Sequence, residues 1–146
     1  MFDQKLIGKT YPPIKYVVGI EKIKEYANAI GERNPLCTNE EAAQAGPYGE
    51  IVAPPTFAVV YTKEMIGQML FDPELKLNMP MLVHGEQEFI FHRPIKHDDV
   101  VVTTGRLVSS VVKKDNLLVT FEAESKVDSQ LATTAIFTFL VRGGAL

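Results

Sequence analysis

The stretch APPTFAVVYTKEMIGQMLF, residues 53–71, predicts the long helix around which the rest of the chain folds. Pro54 and Pro55 suit its opening turn, where a missing backbone N–H costs no helical hydrogen bond. The apolar residues that follow nearly surround the helix axis, and they are Phe57, Val59, Val60, Met65, Ile66, Met69 and Leu70. A helix that is apolar on all sides is buried, so we expect other elements to enclose it.

Four segments with the character of β-strands follow this helix. They are rich in β-branched and aromatic residues, alternate partly in polarity, and span residues 81–95, 99–114, 116–127 and 130–141. Turn residues separate them, among them Asp98, Asp115, Asn116, Asp128 and Ser129. Short turns join antiparallel strands, and a shorter segment at 15–19 is available for a sheet edge. The sequence therefore predicts an α+β fold in which a curled antiparallel sheet wraps around one central long helix.

Ahead of the central helix lies an amphipathic helix followed by a tightly structured turn. Apolar residues at spacings of three and four define this first helix, and they are Ile20, Ile23, Tyr26, Ala27 and Ile30. Gly31 is suited to end it in a left-handed conformation. Thr38 with Glu41 makes a capping box that predicts a second, short helix. The turn between the two helix ends therefore holds Glu32 just after one helix and Cys37 just before the next.

Composition limits the class of protein. The 146 residues suffice for one domain with its own core, and a net charge of -3 provides no basic field for nucleic acid. A single cysteine cannot form an intrachain disulfide, and no secretory signal is evident, so we expect a cytoplasmic protein. No apolar run approaches the ~18 residues that a membrane helix needs, so we expect no membrane partner.

Three segments together resemble a known family. GERNPLCTNEEAA, residues 31–43, is similar to the hydratase motif GDxNPLHxDxxxA of MaoC-type (R)-specific enoyl hydratases and 3-hydroxyacyl dehydratases. IVAPPTF stands where that family usually has IAHGM, and HGEQEFIFHRPIKHDDVVV resembles the HGEQxxxxHRPLxxGD stretch of the N-terminal, FAS1-like dehydratase branch. The resemblance spans nearly the whole chain and implies a single MaoC-like hot-dog domain over residues 1–146.

The resemblance also implies an activity, the hydration of a trans-2-enoyl thioester or the reverse dehydration. The thioester is carried on coenzyme A or acyl carrier protein, and no separate cofactor is implied. Such chemistry needs a carboxylate and an imidazole that converge on one water, and a backbone N–H that holds the thioester oxygen. By the motif, the acid position falls on Glu32, the histidine position on Cys37 and the helix-start glycine on Pro55.

Each of these three positions departs from the family pattern. Glu32 carries one methylene more than Asp, a thiol at Cys37 is mostly neutral near pH 7, and Pro55 has no N–H. The N–H of Thr56 could replace the missing donor. We interpret the chain as a relative that has lost the catalytic groups: a non-catalytic subunit that builds the acyl channel in a homodimer or a heterodimer with a catalytic MaoC-like subunit.

Several other side chains are candidates for the site. The positions expected to bind substrate are Asn34, Pro55, Thr56, Phe57, Val60, Tyr61 and Arg93. His84 and Glu86 lie two apart, so they are expected to share one face of a strand and are an alternative base and orienter, although a hydrogen-bonded structural histidine is the favoured interpretation of His84. Arg93, Lys96 and Lys63 are candidates for contact with a phosphate of coenzyme A or of a carrier, or are ordinary surface cations. The three histidines, His84, His92 and His97, do not have the spacing of metal ligands, so no metal is expected.

Two other functions stay open at this stage. A hot-dog acyl-CoA thioesterase would use a carboxylate near the central helix, for which Glu50 and Glu64 are the nearby candidates. Thioesterases lack the Asn-Pro-Leu turn. A non-enzymatic acyl-CoA-binding or scaffold protein would bind the thioester without turning it over.

Overall fold

The fold is a five-stranded antiparallel sheet curled around one helix. The computed structural model describes residues 2–144. The elements in chain order are β1 (Thr10–Val17), α1 (Ile20–Ala29), α2 (Pro35–Thr38), α3 (Glu40–Gln44), α4 (Ala58–Leu70), β2 (Leu82–Phe91), β3 (Val100–Lys113), β4 (Asn116–Val127) and β5 (Gln130–Val141). Neighbouring strands lie in the order β1-β3-β4-β5-β2, and the central helix is α4. This is the hot-dog fold, and the prediction of an α+β domain with a central helix is confirmed.

The first strand begins earlier than the sequence suggested. It starts at Thr10 rather than near Lys15 and includes Pro12 and Pro13. The prolines are tolerated because β1 is an edge strand and its pairing with β3 shifts register between Tyr11 and Ile14. A proline within a strand is compatible with a bulge or a sheet edge, where no partner needs the missing N–H.

The inner face of the sheet packs against α4. Met65 and Met69 are fully buried on this face, above Gly105 of β3. A Cβ placed on Gly105 would lie 2.6 Å from the Met65 sulfur, so a glycine is what allows the helix to approach the sheet this closely. The helix is not buried on all sides, however. Val59 is 43% exposed, and Phe71, the residue that follows the helix, is 71% exposed. The prediction of a fully enclosed helix is therefore wrong for a single chain, since five strands cover only part of its surface.

The capping box predicted at Thr38 does not form. Thr38 instead ends α2, where its Oγ1 donates to the Asn34 carbonyl at 3.0 Å. Asn39 is the N-cap of α3, and its Oδ1 accepts from the Ala42 N–H at 2.9 Å. Asparagine caps at least as well as threonine, so the helix starts one residue later. Cys37 consequently lies inside α2 rather than before a helix start.

Within residues 2–144, none of the helices is both long enough and apolar enough to cross a bilayer.

Candidate active site

The motif turn begins at a well-defined helix end. The Gly31 N–H donates to the Asn28 carbonyl and the Glu32 N–H to the Ala27 carbonyl, at 3.2 and 2.8 Å. Gly31 has φ of 68°, as expected for the residue after a helix that ends in a Schellman motif. The prediction that Gly31 ends the helix is confirmed, and this geometry fixes where Glu32 leaves α1.

The Glu32 side chain is engaged by the backbone of its own turn. Its Oε1 accepts from the N–H of Arg33 at 2.8 Å and from the N–H of Asn34 at 2.9 Å. Asn34 continues this arrangement, since its Oδ1 accepts from the Leu36 N–H at 3.0 Å. Both side chains therefore stabilise the turn by accepting from N–H groups that have no partner in a helix.

The Cys37 thiol is buried and stays protonated. Only 3% of the residue is exposed. Burial raises the pKa of the thiol, and the negative charge of Glu32 raises it further. A thiolate is the reactive form of cysteine, so the two causes act together against nucleophilic or acid-base work at Cys37.

The start of the central helix offers few free donors. Pro54 and Pro55 carry no N–H, and the Phe57 N–H donates to the Pro54 carbonyl at 2.8 Å. The Tyr26 hydroxyl donates to the Thr56 carbonyl at 3.0 Å and lies 2.9 Å from Thr56 Oγ1. Thr56 thus supplies the first N–H of this segment, while its side chain is tied to α1.

A cavity of about 370 Å³ lies between the start of α4 and the end of β2. Its walls are mostly apolar and are formed by Tyr48, Ala53, Pro54, Pro55, Phe57, Ala58, Tyr61, Phe91, His92, Arg93, Pro94 and Ile95. It brings together four of the predicted substrate-binding residues, which are Pro55, Phe57, Tyr61 and Arg93. Glu32, Asn34 and Cys37 are not among its wall residues, so these motif positions do not form part of the cavity.

Three polar groups at or near this cavity have partners within the chain. The Tyr61 hydroxyl lies 2.8 Å from Thr133 Oγ1, and burial raises the pKa of Tyr61 to about 12, so it remains a hydroxyl. The Arg93 guanidinium pairs with Asp99 at 3.2 Å. Lys96, outside the cavity wall, pairs with Glu50 at 2.7 Å. Arg93 and Lys96 are therefore already partly neutralised by neighbouring carboxylates.

Other predicted residues lie at different places. Val60 is half-buried and lines an open groove between α4 and β1, together with Lys63 and Glu64. The Nε2 of His92 lies 3.2 Å from Thr134 Oγ1, and the Nε2 of His97 lies 3.4 Å from Asp98 Oδ2. No cluster of metal-ligating side chains occurs in the part of the chain that is described.

His84 and Glu86 lie on opposite faces of β2, so the prediction that they share one face is wrong. His84 pairs with Phe139 and Glu86 with Thr138, which leaves Gly85 as an extra residue in β2. Such a bulge reverses the alternation of faces. The His84 ring stacks on Phe139 at 4.6 Å between centroids, and its Nε2 is 3.1 Å from the Glu86 carbonyl, which favours a structural histidine.

Several wall residues of the cavity were not predicted from the sequence. Tyr48, Phe91 and Ile95 were not selected, although all three line it. Phe91 and Ile95 flank the His-Arg-Pro segment that carried the family resemblance, so that segment was the available signal. Tyr48 lies in an irregular loop and has no such signal.

The chain is similar in sequence to proteins of one known family. The model of the FAS1-like dehydratase domain region matches residues 5–133. The chain belongs to this family, which confirms the resemblance seen in the sequence. A UPF0336 protein from Saccharopolyspora erythraea is 41% identical over 145 residues, which cover 98% of this chain and 93% of that one.

Solved structures place the fold among the MaoC-like hot-dog dehydratases and hydratases. The C-terminally truncated HadBC complex, a 3R-hydroxyacyl-ACP dehydratase from Mycobacterium tuberculosis, has a TM-score of 0.80 at 26% identity. That match covers 92% of this chain and 96% of the HadBC chain. A MaoC-like dehydratase has a TM-score of 0.84 at 24% identity, and the match covers 94% of this chain but 42% of that longer chain.

Proposed function

We propose that this chain is the non-catalytic, channel-building subunit of an (R)-specific enoyl-thioester hydratase or 3-hydroxyacyl-thioester dehydratase. The substrate is an acyl thioester of coenzyme A or acyl carrier protein. A catalytic hot-dog partner supplies the acid and the base. The observation that carries the proposal is the state of the motif turn, where the Glu32 carboxylate holds backbone N–H groups and Cys37 is a buried thiol.

The chemistry of hydration supports a non-catalytic role for this chain and a catalytic role for its partner. Hydration requires one group that takes a proton from water and one that delivers a proton to the α-carbon. The Glu32 oxygen Oε1 already accepts two backbone hydrogen bonds, and a thiol whose pKa is raised offers only a poor donor. Pro55 removes the N–H at the position expected to stabilise the thioester oxygen. The turn thus retains its shape without its acid-base pair.

The cavity supports an acyl-binding role. It is largely apolar, as a cavity for a hydrocarbon chain should be, and its wall residues Phe91 and His92 belong to the end of the edge strand β2 and the residue after it. A partner that extends the sheet at β2 would bring its own residues next to this cavity. The similarity to a chain of HadBC, which is a complex of subunits, supports such a partner.

The test is hydration of crotonyl-CoA by the isolated chain and by an equimolar mixture with a catalytic MaoC-like subunit from the same organism. Turnover above that of the partner alone, and only in the mixture, is expected. Turnover by the isolated chain at the rate of the mixture would contradict a non-catalytic role.

The same assay separates the two other functions. Release of free coenzyme A thiol would indicate a thioesterase, for which Glu50 is unfavourable because it pairs with Lys96. Binding of the thioester without turnover in any mixture would indicate an acyl-CoA-binding or scaffold protein.

A further inference from the structure

The two edges of the sheet differ in their capacity to pair with another chain. The β1 edge contains Pro12 and Pro13 and an irregular register, features that protect an edge from additional strands. The β2 edge has ten residues and no proline, and along residues 2–144 its other side faces no strand. Exposed apolar side chains lie along it, among them Val83, Ile90 and Phe91. An intermolecular strand is therefore expected at β2.

The inner flank of this edge is also incompletely covered. A groove of about 360 Å³ runs between α4 and β2, and its walls include Val59, Ile66, Leu70 and Phe139. A partner that only added a strand would leave these side chains in water. A partner hot-dog domain would bring a sheet and a helix to the same edge, and so would cover both the strand and the groove.

The outer face of β2 carries an uncompensated acidic pair. Glu86 and Glu88 pair with Thr138 and Ile136 of β5, so both carboxylates point away from α4. Both are exposed, and neither has an ion-pair partner within the described part of the chain. Gln87 lies between them on the inner face.

Symmetry decides what these carboxylates meet if β2 pairs with a second copy of itself. Residues directly opposite each other in an antiparallel pair lie on the same face of the sheet. The two-fold axis must therefore pass midway between one residue and the same residue of the other chain, and we call that residue the one on the axis. If the axis passes at Gln87, Glu86 of each chain faces Glu88 of the other. If it passes at Glu86 or at Glu88, that residue faces its own copy. Each of these registers places like charges in direct opposition, which is destabilising.

Registers that avoid this opposition lose much of the ladder. With Phe89 on the axis, residue 87 faces residue 91, so only 87–91 pair. An axis further toward the start of the strand would place the bulge at Gly85 near the centre of the ladder, where it interrupts the pairing. A second copy therefore accepts either opposed carboxylates or a short ladder.

We infer that β2 is an edge built for a non-identical hot-dog subunit, one whose facing strand places lysine or arginine opposite Glu86 and Glu88. This rests on the proposed function, because it names the kind of partner that completes the same site. The acidic pair lowers the affinity of the chain for itself and raises its affinity for the partner, so one pattern of charge provides both exclusion and attraction.

Sedimentation equilibrium of charge variants tests the inference at low and high salt. Wild-type self-association should be weak and should strengthen as salt screens the carboxylates. Glu88→Lys converts both facing pairs to opposite charges when Gln87 is on the axis, so its self-association should tighten roughly tenfold and weaken with salt. Glu86→Gln with Glu88→Gln removes the repulsion in every register and should tighten self-association without salt dependence.

Glu124→Lys is the matched control. It makes the same charge change on β4, away from the edge, and should leave self-association unchanged. Glu88→Lys should also bind the catalytic MaoC-like subunit of the hydration assay roughly tenfold less tightly, whereas Glu124→Lys should bind it as wild type does. Circular dichroism checks that each variant is folded.

Two results would overturn the inference. One is a tight wild-type homodimer that is insensitive to salt and to Glu88→Lys, and the other is undiminished binding of Glu88→Lys to the partner. The proposed function fails separately, through the hydration assay. Charge-dependent association without hydration in the mixture would reject the function alone, while hydration without any charge effect would reject the inference alone.

Discussion

Glu32, at the position of the acid in the family motif, forms hydrogen bonds with the backbone of its own turn. Its Oε1 accepts hydrogen bonds from the N–H groups of Arg33 and Asn34, at a position where the family motif has an Asp. The carboxylate therefore has a structural task whether or not it meets a substrate. Charge and hydrogen bonding can be separated at this position, because an amide oxygen accepts the same two bonds.

We expect Glu32→Gln to keep both backbone hydrogen bonds and to leave hydration by the mixture with the partner within about twofold of wild type. Glu32→Ala loses the bonds, so its free energy of unfolding should fall by roughly 0.5–2 kcal/mol. Urea denaturation and crotonyl-CoA hydration measure the two effects. A hundredfold loss of hydration in Glu32→Gln would mean that the carboxylate is catalytic.

Restoring the family residues should restore activity only in combination. Glu32→Asp with Cys37→His returns the acid-base pair, but Pro55 still leaves the thioester oxygen without its donor, so the isolated double variant should gain little. Adding Pro55→Gly should raise the rate measurably, since one such donor contributes about 10²–10³ in rate. Residues that act as a unit give this non-additive result.

The control for this series is Cys37→Ala, which should leave hydration by the mixture unchanged. Thermal melting of each variant is needed beside the rates, because Cys37 is buried and imidazole is larger than a thiol. A folded Cys37→Ala that loses hydration would show that the thiol participates.

Among the elements, the start of α4 depends on an aromatic cluster. Phe57 is fully buried, and its ring lies 5.5 Å from that of Tyr26 and 6.3 Å from that of Tyr61, between centroids. Tyr26 belongs to α1, so this contact joins the first helix to the central one. Phe57 and Tyr61 of this cluster also line the cavity.

Phe57→Ala should lower the free energy of unfolding by roughly 3–5 kcal/mol, because it removes a buried ring from a packed core. Phe71→Ala is a matched control with the same chemical change at a residue that is 71% exposed, and it should change stability by less than about 0.5 kcal/mol. Denaturant unfolding measures both. Equal stability of Phe57→Ala and wild type would show that this wall is loosely packed.

The far end of α4 is joined to β1 by a carboxylate. Asp72 accepts from the Tyr11 hydroxyl at 2.7 Å and pairs with Lys9 at 2.6 Å. Burial alone would raise the pKa of Asp72, but the hydrogen bonds from Lys9 and Tyr11 outweigh it, and the pKa lies below the ordinary carboxyl value. The stabilisation is therefore present above the unfolded-state pKa and is lost as the pH falls through the folded-state pKa.

Asp72→Asn should lower the free energy of unfolding by about 1 kcal/mol at pH 7, a value reduced by the partial exposure of Lys9. This difference from wild type should shrink as the pH falls below about 4, where the wild-type carboxylate begins to lose its advantage. Urea titrations at a series of pH values measure it, with Asp115→Asn in an exposed turn as the control. A difference that stays constant down to pH 2 would contradict the role of the charge.

For the whole molecule, the two sheet edges should respond differently to a partner. Backbone N–H groups on the free side of β2 should exchange quickly with deuterated solvent in the isolated chain and become protected in the complex. The edge of β1, with its prolines, should change little. Hydrogen exchange followed by mass spectrometry on peptides from both strands measures this, and protection confined to β1 would place the partner at the other edge.

Local patterns in the sequence were sufficient for the fold and for most of its elements. Apolar spacing gave α1 and α4, β-rich segments gave β2 to β5, and Gly31 gave the helix end, because each depends on residues close together in the chain. The prolines of β1 obscured its start, since their tolerance depends on lying at an edge. Asn39 replaced Thr38 as a cap because neighbouring candidates compete and only the folded geometry selects one.

The sequence alone determined that the motif turn is present with altered chemical groups, because residue identity needs no structure. Only the tertiary structure decided what those groups do. The bulge at Gly85 separated His84 from Glu86, because the faces of a strand are set by its register with β5 rather than by spacing. The Glu32 carboxylate accepts from the backbone, and Cys37 is buried. Phe91 and Tyr61 line the same cavity, because contacts between distant segments form only when the sheet closes around α4.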